Sequence, residues 1–368
     1  MAEWKKTTLE KCTDILGDGL HGTPKYTEGG EYAFINGNNL VNGEILIKKD
    51  TKRVDYSQYE KYKKPLTNRT LLVSINGTLG NVGMYNSEKI ILGKSACYFN
   101  VKEFVDKDFI YYVVSSPIFR QYLEHSATGT TIKNISLKQM REYDFLLPPI
   151  EEQKQISSVL KMIDEKIKNN RRVNENLTDQ AQAIYQQHFV TKANPDWPLG
   201  HLSDLIDVKY GKDHKKLADG VYPVYGSGGI MRYVERPLYE KESVLIPRKG
   251  TLNNVMYVNQ PFWSVDTMFY TEMKQANVAK FVYHFVKSKD LASMNAGSAV
   301  PSMTTAILNA LELRIPSAEA LLQFENSVAP MYEMMKKNED QSRKLTELRD
   351  ALLPKLMSGE IDVSDLDL

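Results

Sequence analysis

Two cysteines in 368 residues, Cys12 and Cys97, rule out a disulfide framework. Neither belongs to a Cys-x-x-Cys run, so both read as small buried hydrophobes in a reducing compartment. The six histidines show no HExxH or other paired spacing, and no zinc site is written. An excess of one charge is also missing. Lys plus Arg number 47 against 46 for Asp plus Glu, so no global field draws a polyanion, and any contact with one must rest on local faces. No apolar run is long enough to span a bilayer, and the opening MAEWKKTTLE lacks a signal-type apolar stretch. The expectation is a cytoplasmic chain with no membrane contact.

Catalytic signatures are missing too. LGKS, Leu92–Ser95, resembles the end of a phosphate-binding loop, but Glu88 stands where its first glycine belongs. LPPI at Leu147 lacks the amide and the ring of an amino-methyltransferase signature, and no glycine-rich cofactor loop follows a strand. Asp196, Asp207 and Lys209 are spaced like a degenerate metal-dependent nuclease motif. However, Asp196 falls in a linker, and the first half of the chain has no lysine at the matching place. A self-contained nuclease is therefore the alternative reading, as is a coiled-coil scaffold. The expectation is a chain with no catalytic residue, cofactor or metal of its own.

What the sequence has is a repeat. WKKTTLEKCTDI matches WPLGHLSDLIDV, LLVSINGTLGNV matches SVLIPRKGTLNNV, FIYYVV at Phe109 matches FVYHFV at Phe281, and GTTIKNIS matches GSAVPSMT. The order is the same in both halves. Each copy begins with short β-branched and aromatic runs broken by Gly, Asn and Pro, a strand-rich α/β globule with long loops. About 40 residues of helical period follow. Proline at 148–149 and at 316 closes a strand, and Glu151, Glu152 and Glu319 then set negative charge at the start of a helix. Pro195 and Pro198 stop the first helix.

Ile156, Ile163, Leu177 and Ile184 recur by sevens in the first helix, as do Phe324, Met331, Leu345 and Leu352 in the second. Val159, Leu160, Ile167 and Val173 widen the first stripe; Val328, Met334, Met335 and Leu348 widen the second. Asn170 and Asn338 interrupt the two seams 168 residues apart. Pattern alone leaves a parallel pair open. Two repeats related by a twofold axis across the helices would, however, lie antiparallel, with the two Asn facing each other to fix the register; two solvent-facing Asn are the alternative. The fold class expected is α+β: two pseudo-repeated strand-rich globules separated by a two-helix antiparallel coiled coil. The boundaries are 1–149 and 191–316 for the globules, 150–190 and 317–358 for the helices, and 359–368 for an acidic tail.

The loops of both globules combine glycine with donors and acceptors, a composition that suits DNA. Candidates in the first copy are His21, Gly22, Thr23, Lys25, Asn36, Asn38, Asn76, Thr78, Lys133 and Asn134. Those in the second are Lys212, Lys215, Tyr225, Ser227, Arg248, Lys249, Thr251 and Ser302. Arg248-Lys249 opposes Ile75-Asn76, and Arg248 leads for a bidentate guanine contact, with phosphate anchoring as the alternative. The basic stretch Lys48–Lys64 can add phosphate contacts or stand as a solvated loop.

LRDALLPKLMSGEI at Leu348, LPPIEEQKQI at Leu147, VLIPRKGTLNN at Val244, VYPVYGSGG at Val221 and DGLHGTPKY at Asp18 resemble the specificity subunit of type I restriction–modification enzymes. The resemblance runs along essentially the whole chain. It implies that each globule is a target recognition domain for one half of a bipartite double-stranded DNA site. The helices would then act as spacer and as docking surface for two methyltransferase subunits. Those subunits would bind S-adenosylmethionine, and separate motor–nuclease subunits would join through the complex.

Overall fold

The runs Thr70–Ser74 and Ser243–Pro247 are buried at every residue, although both are strands of antiparallel sheets. An antiparallel strand with one wet face would alternate, so something must cover both faces. In the first run, Leu71 and Val73 face a core shared with helix Lys107–Ser115, whereas Leu72 faces a second core holding Ala33, Ile35 and Ile90. In the second, Val244 and Ile246 meet helix Ala279–Lys287, and Leu245 meets Val224, Phe262 and Trp263. The period-2 rule therefore holds, with alternate side chains serving two different cores.

The computed structural model describes residues 4–129, 132–294 and 302–363. They group into two units, one drawn from 1–169 with 340–368 and the other from 170–339. In the first, a four-stranded sheet has the order Thr13–Asp18, Ala96–Val101, Thr70–Ser74, Val82–Met84. A three-stranded sheet pairs Tyr32–Ile35 antiparallel with Arg53–Val54 and parallel with Ile90–Leu92. Lys5–Thr8 pairs with Asp144–Leu147, the strand that leads into the first long helix.

The second unit repeats each of these pieces. Its four-stranded order is Ile206–Tyr210, Met268–Met273, Ser243–Pro247, Met256–Val258. Asp219–Gly226 pairs antiparallel with Gly229–Val234 and parallel with Trp263–Ser264, and Leu199–His201 pairs with Glu312–Arg314. The repeat read from sequence is thus a repeat of topology, down to a parallel strand pair in each copy.

The long helices span Ile150–Gln186, which continues as a π turn through Gln187–Thr191, and Ala318–Ser358. The expected glutamates stand in their first turns, and Ser317 caps the second by accepting from the Ala320 amide at 3.2 Å. Within the second unit, Asn170 meets Asn338, Asn174 meets Met335, and Tyr185 meets Phe324. Rising numbers on one helix meet falling numbers on the other, so the pair is antiparallel. In the first unit Ile156 and Leu160 share a core with Leu353 and Leu356, and Asp164 reaches Arg349. That pairing runs antiparallel as well.

Two residues assigned to the apolar stripe stand outside it. Met334 and Leu348 are each 48% exposed. Each immediately precedes a seam position, Met335 and Arg349 respectively, and one residue along a helix rotates the side chain by about 100°. The seam between them is polar. Asn170 is 3% exposed and its amide donates to the Asn338 carbonyl at 3.4 Å. The Asn338 amide donates to Asn174 Oδ1 at 2.8 Å, and the Asn174 amide to the Met335 carbonyl at 3.0 Å. Asn174, which the heptad pattern did not single out, is therefore part of the same polar group.

Gly359, at φ +74°, ends the second long helix, with the Glu360 amide bonding back to the Lys355 carbonyl. Val363 is then buried in the first core; the rest of the expected tail, 364–368, lies outside the described residues. Cys12 and Cys97 are both buried, and burial pushes both thiols up. Among the described residues, no helix is long and apolar enough to cross a membrane.

Candidate nucleic-acid interface

Backbone hydrogen bonds gather the loops of each globule into one surface, and the same bonds recur in both. In the first, the Leu20 amide donates to the Leu92 carbonyl, Gly93 to Ile35, Ile75 to Ser95, and Ile135 to Ile75. In the second, Lys212 donates to Ser264, Val265 to Tyr225, Arg248 to Thr267, and Met303 to Arg248. A side chain completes each set. The Asn81 amide donates to the Gly37 carbonyl at 3.4 Å, and the Asn254 amide to the Ser227 carbonyl at 2.8 Å. Isolated bridges join Asn76 to Asn134 and Lys249 to Ser302 at matching places. At the loop tips Gly77 and Gly250 have φ of +77° and +84°, backbone that a side chain at either place would strain.

Within the first frame, Ser95 Oγ donates to Asn36 Oδ1 at 3.0 Å and accepts from the Gly37 amide, which fixes the Asn36 amide plane. Asn36 and Phe34 stand between two adjoining clefts. One, of about 340 Å³, is lined by Leu20, His21, Gly22, Thr23 and Lys94 as well. The other, of about 220 Å³, adds Tyr26, Asn38, Lys48 and Lys52. Lys25, Lys48, Lys52 and Lys94 have no carboxylate partner among the described residues. Such cations can neutralise phosphate without first breaking an ion pair. His21 is exposed and bonds Asp18 at 2.5 Å, and the Lys25 backbone amide donates to Gln58. The Asn76 amide donates to Asn134 Oδ1 at 3.1 Å, while Thr78 and Lys133 are exposed at the same edge.

In the second frame, Arg248 Nη1 donates to the Asp266 carbonyl at 3.2 Å, and its guanidinium lies 5.4 Å from the Tyr210 ring centre. The side chain is thus held by one donor and a ring face, and its other donors carry no bond among the described residues. Lys249 and Thr251 are exposed on the same loop, and Ser227 is tied to it through Asn254. Lys212 and Lys215 are exposed on the loop joined to Ser264. Tyr225 packs edge-on against Phe262, and burial pushes its phenol up.

The sequence reading missed Lys94, Ser95, Phe34, Asp266 and Thr267. LGKS resembles a phosphate loop, but its signal as half of the frame lies in its place before ACYFNV, which answers to SVDT before MFYTEM. Of the nuclease-like residues, Asp207 is engaged by Lys209 at 3.8 Å and Lys274 at 3.3 Å, and Asp196 lies on an exposed turn. Among the described residues, no group of three His, Cys, Asp or Glu is placed to hold a metal.

The family model for the type I restriction modification DNA specificity domain matches this chain twice, over residues 1–179 and 194–327. A specificity subunit named for the MjaIX type I restriction enzyme of Methanocaldococcus jannaschii is 23% identical, covering 99% of this chain and 95% of that protein. A putative type I specificity subunit of Mycoplasma genitalium is 24% identical, covering 96% and 93%. The crystal structure of a type I restriction–modification S subunit from M. genitalium has a TM-score of 0.59 at 22% identity, over 96% of each chain, a likeness of fold. The two matched segments are the two halves that carry the repeated loop frame, and the chain belongs to the family of type I restriction modification DNA specificity proteins.

Proposed function

We propose that this chain is the sequence-reading subunit of a type I restriction–modification enzyme, with each loop frame contacting one half of a bipartite duplex site. One observation carries the reading: the same set of backbone bonds presents different side chains in the two copies. Ile75 stands opposite Arg248, Lys94 opposite Asp266, Leu20 opposite Lys212, and Asn76 opposite Lys249. Two equal readers would select a symmetric site, whereas two unlike readers select unlike half-sites. The DNA-facing residues are the loop candidates named from the sequence, with Lys94 added. The recognition domains are 1–149 and 191–316. The helices 150–190 and 317–358 set the distance between half-sites and dock two methyltransferase subunits, with Asn170 and Asn338 fixing their register. Methyl transfer with S-adenosylmethionine and cleavage by motor–nuclease subunits belong to those partners, in the cytoplasm.

The test is methylome sequencing of cells that carry this chain with its methyltransferase partner. A single bipartite motif with a fixed internal gap is expected, and none with the partner alone. Methylation by the purified chain alone, or metal-dependent cleavage abolished by Asp207→Ala, would overturn the assignment.

A further inference from the structure

In each globule one buried apolar helix packs on the long helices, and both of these helices carry polar groups at the same two repeat positions. In Lys107–Ser115 these are Asp108 and Tyr112; in Ala279–Lys287 they are Lys280 and His284. Tyr112 is 3% exposed, and its hydroxyl donates to Asp164 Oδ2 at 2.9 Å on the first long helix. Asp164 Oδ1 accepts from Arg349 at 2.7 Å on the second. His284 is fully buried; its Nδ1 donates to Gln182 Oε1 at 2.7 Å on the first long helix, and Tyr332 on the second donates to its Nε2 at 2.9 Å. Asp164 and Tyr332 are 168 residues apart, the offset that also relates Ile156 to Phe324. Each globule thus reaches both helices through one chain of directional bonds.

The second pair of positions reverses its sign between copies. Asp108 on the first globule pairs with Lys161 of the first long helix at 2.8 Å. Lys280 on the second globule pairs with Glu325 of the second long helix at 2.6 Å and with Glu242 at 3.3 Å. Lys161 and Glu325 stand 164 residues apart, one helical turn off the 168-residue offset. A globule docked on the other's stretch of helix would therefore lose its own partner and bring its charge within a turn of like charge. Apolar surfaces alone would allow a globule to slip or rotate, because hydrophobic contact is non-directional.

We propose that Asp108 with Tyr112, and Lys280 with His284, form two docking keys of opposite charge code. Each key matches its globule to one stretch of the helix pair and fixes the angle at which the loop frame is presented. This rests on the half-site reading above, and the residues act as positioning residues for recognition. Their loss relaxes the gap between half-sites and leaves the half-site bases unchanged.

The experiment sequences the methylomes of cells carrying full-length variants with the methyltransferase partner. Tyr112→Phe removes one hydroxyl, and the share of methylated sites with a gap one base pair too long or short is expected to rise about fivefold, the worth of one lost hydrogen bond. Lys280→Glu is expected to do the same more strongly, and adding Glu325→Lys to restore the gap. Should Lys280→Glu fail to accumulate, Asp108→Lys with and without Lys161→Asp takes its place. Methylation that falls at all sites alike with an unchanged gap, or charge-swapped doubles that rescue nothing, would overturn the proposal. A wild-type chain that yields no bipartite methylation would instead overturn the functional reading.

Discussion

At one place in the loop frame the first globule holds Ile75, 3% exposed, and the second holds Arg248, propped on Tyr210. Both residues donate a backbone amide to the carbonyl of the following strand's loop, Ser95 or Thr267. The backbone does the same work in each, while one side chain has turned inward to the core and the other outward to solvent. Scaffold and loop surface are therefore separable: the frame resides in amides and carbonyls, the chemistry in the side chains hung on it.

The largest test of that comparison lies in the cores. Phe324 and Ile156, repeat-equivalent and fully buried, each tie a long helix to its globule. Phe324→Ala is expected to cost about 3–5 kcal/mol and Ile156→Ala about 2–5 kcal/mol, read from denaturant midpoints. Unequal loss beyond those ranges would show that the two halves are not built alike. The next test is acid. Burial, aided by the nearby Lys287 charge, pushes His284 down to about 3. The unfolded imidazole takes up its proton near pH 6.5. Stability should therefore be intact above pH 6.5 and fall as the pH drops from there toward 3, by at most about 1.4 kcal/mol per pH unit. His284→Gln should flatten that limb in thermal melts, whereas Tyr112, whose phenol is pushed up by burial, gives the first globule no such titration.

A third test separates reading from packing. Arg248→Ala should weaken binding of the cognate duplex by about 1–3 kcal/mol, and an equal loss on random DNA would make it a phosphate contact. Ile75→Ala should instead lower the melting temperature. The smallest effect is expected at the frame itself. Asn81→Ala and Asn254→Ala each remove one bond to a carbonyl, worth about 0.5–1.5 kcal/mol. Calorimetry that found one of them costly and the other silent would break the equivalence of the frames.

The repeat and its order were legible because they are written in residues with special backbone needs, such as Gly77-Thr78-Leu79 against Gly250-Thr251-Leu252. The long helices and their polar middle were legible from period; their antiparallel direction followed only from taking the two repeats as related by a twofold axis. The frame was not, because the bond from Ile75 to Ser95 or from Arg248 to Thr267 uses groups that every residue carries. The parallel pairing of Tyr32–Ile35 with Ile90–Leu92 was hidden for a related reason, since partners so distant in sequence leave no local mark. Met334 and Leu348 misled because a heptad count cannot tell a seam residue from its neighbour. Tyr112 and His284 were seen as matching letters in FIYYVV and FVYHFV, but their hydrogen-bonding role needed the long helices in place.

Isoleucine 75 and Arg248 occupy one address, and neither disturbs the amide bond made there. A side chain at a loop tip can therefore be exchanged in one globule while the amide bonds beneath it stay as they are.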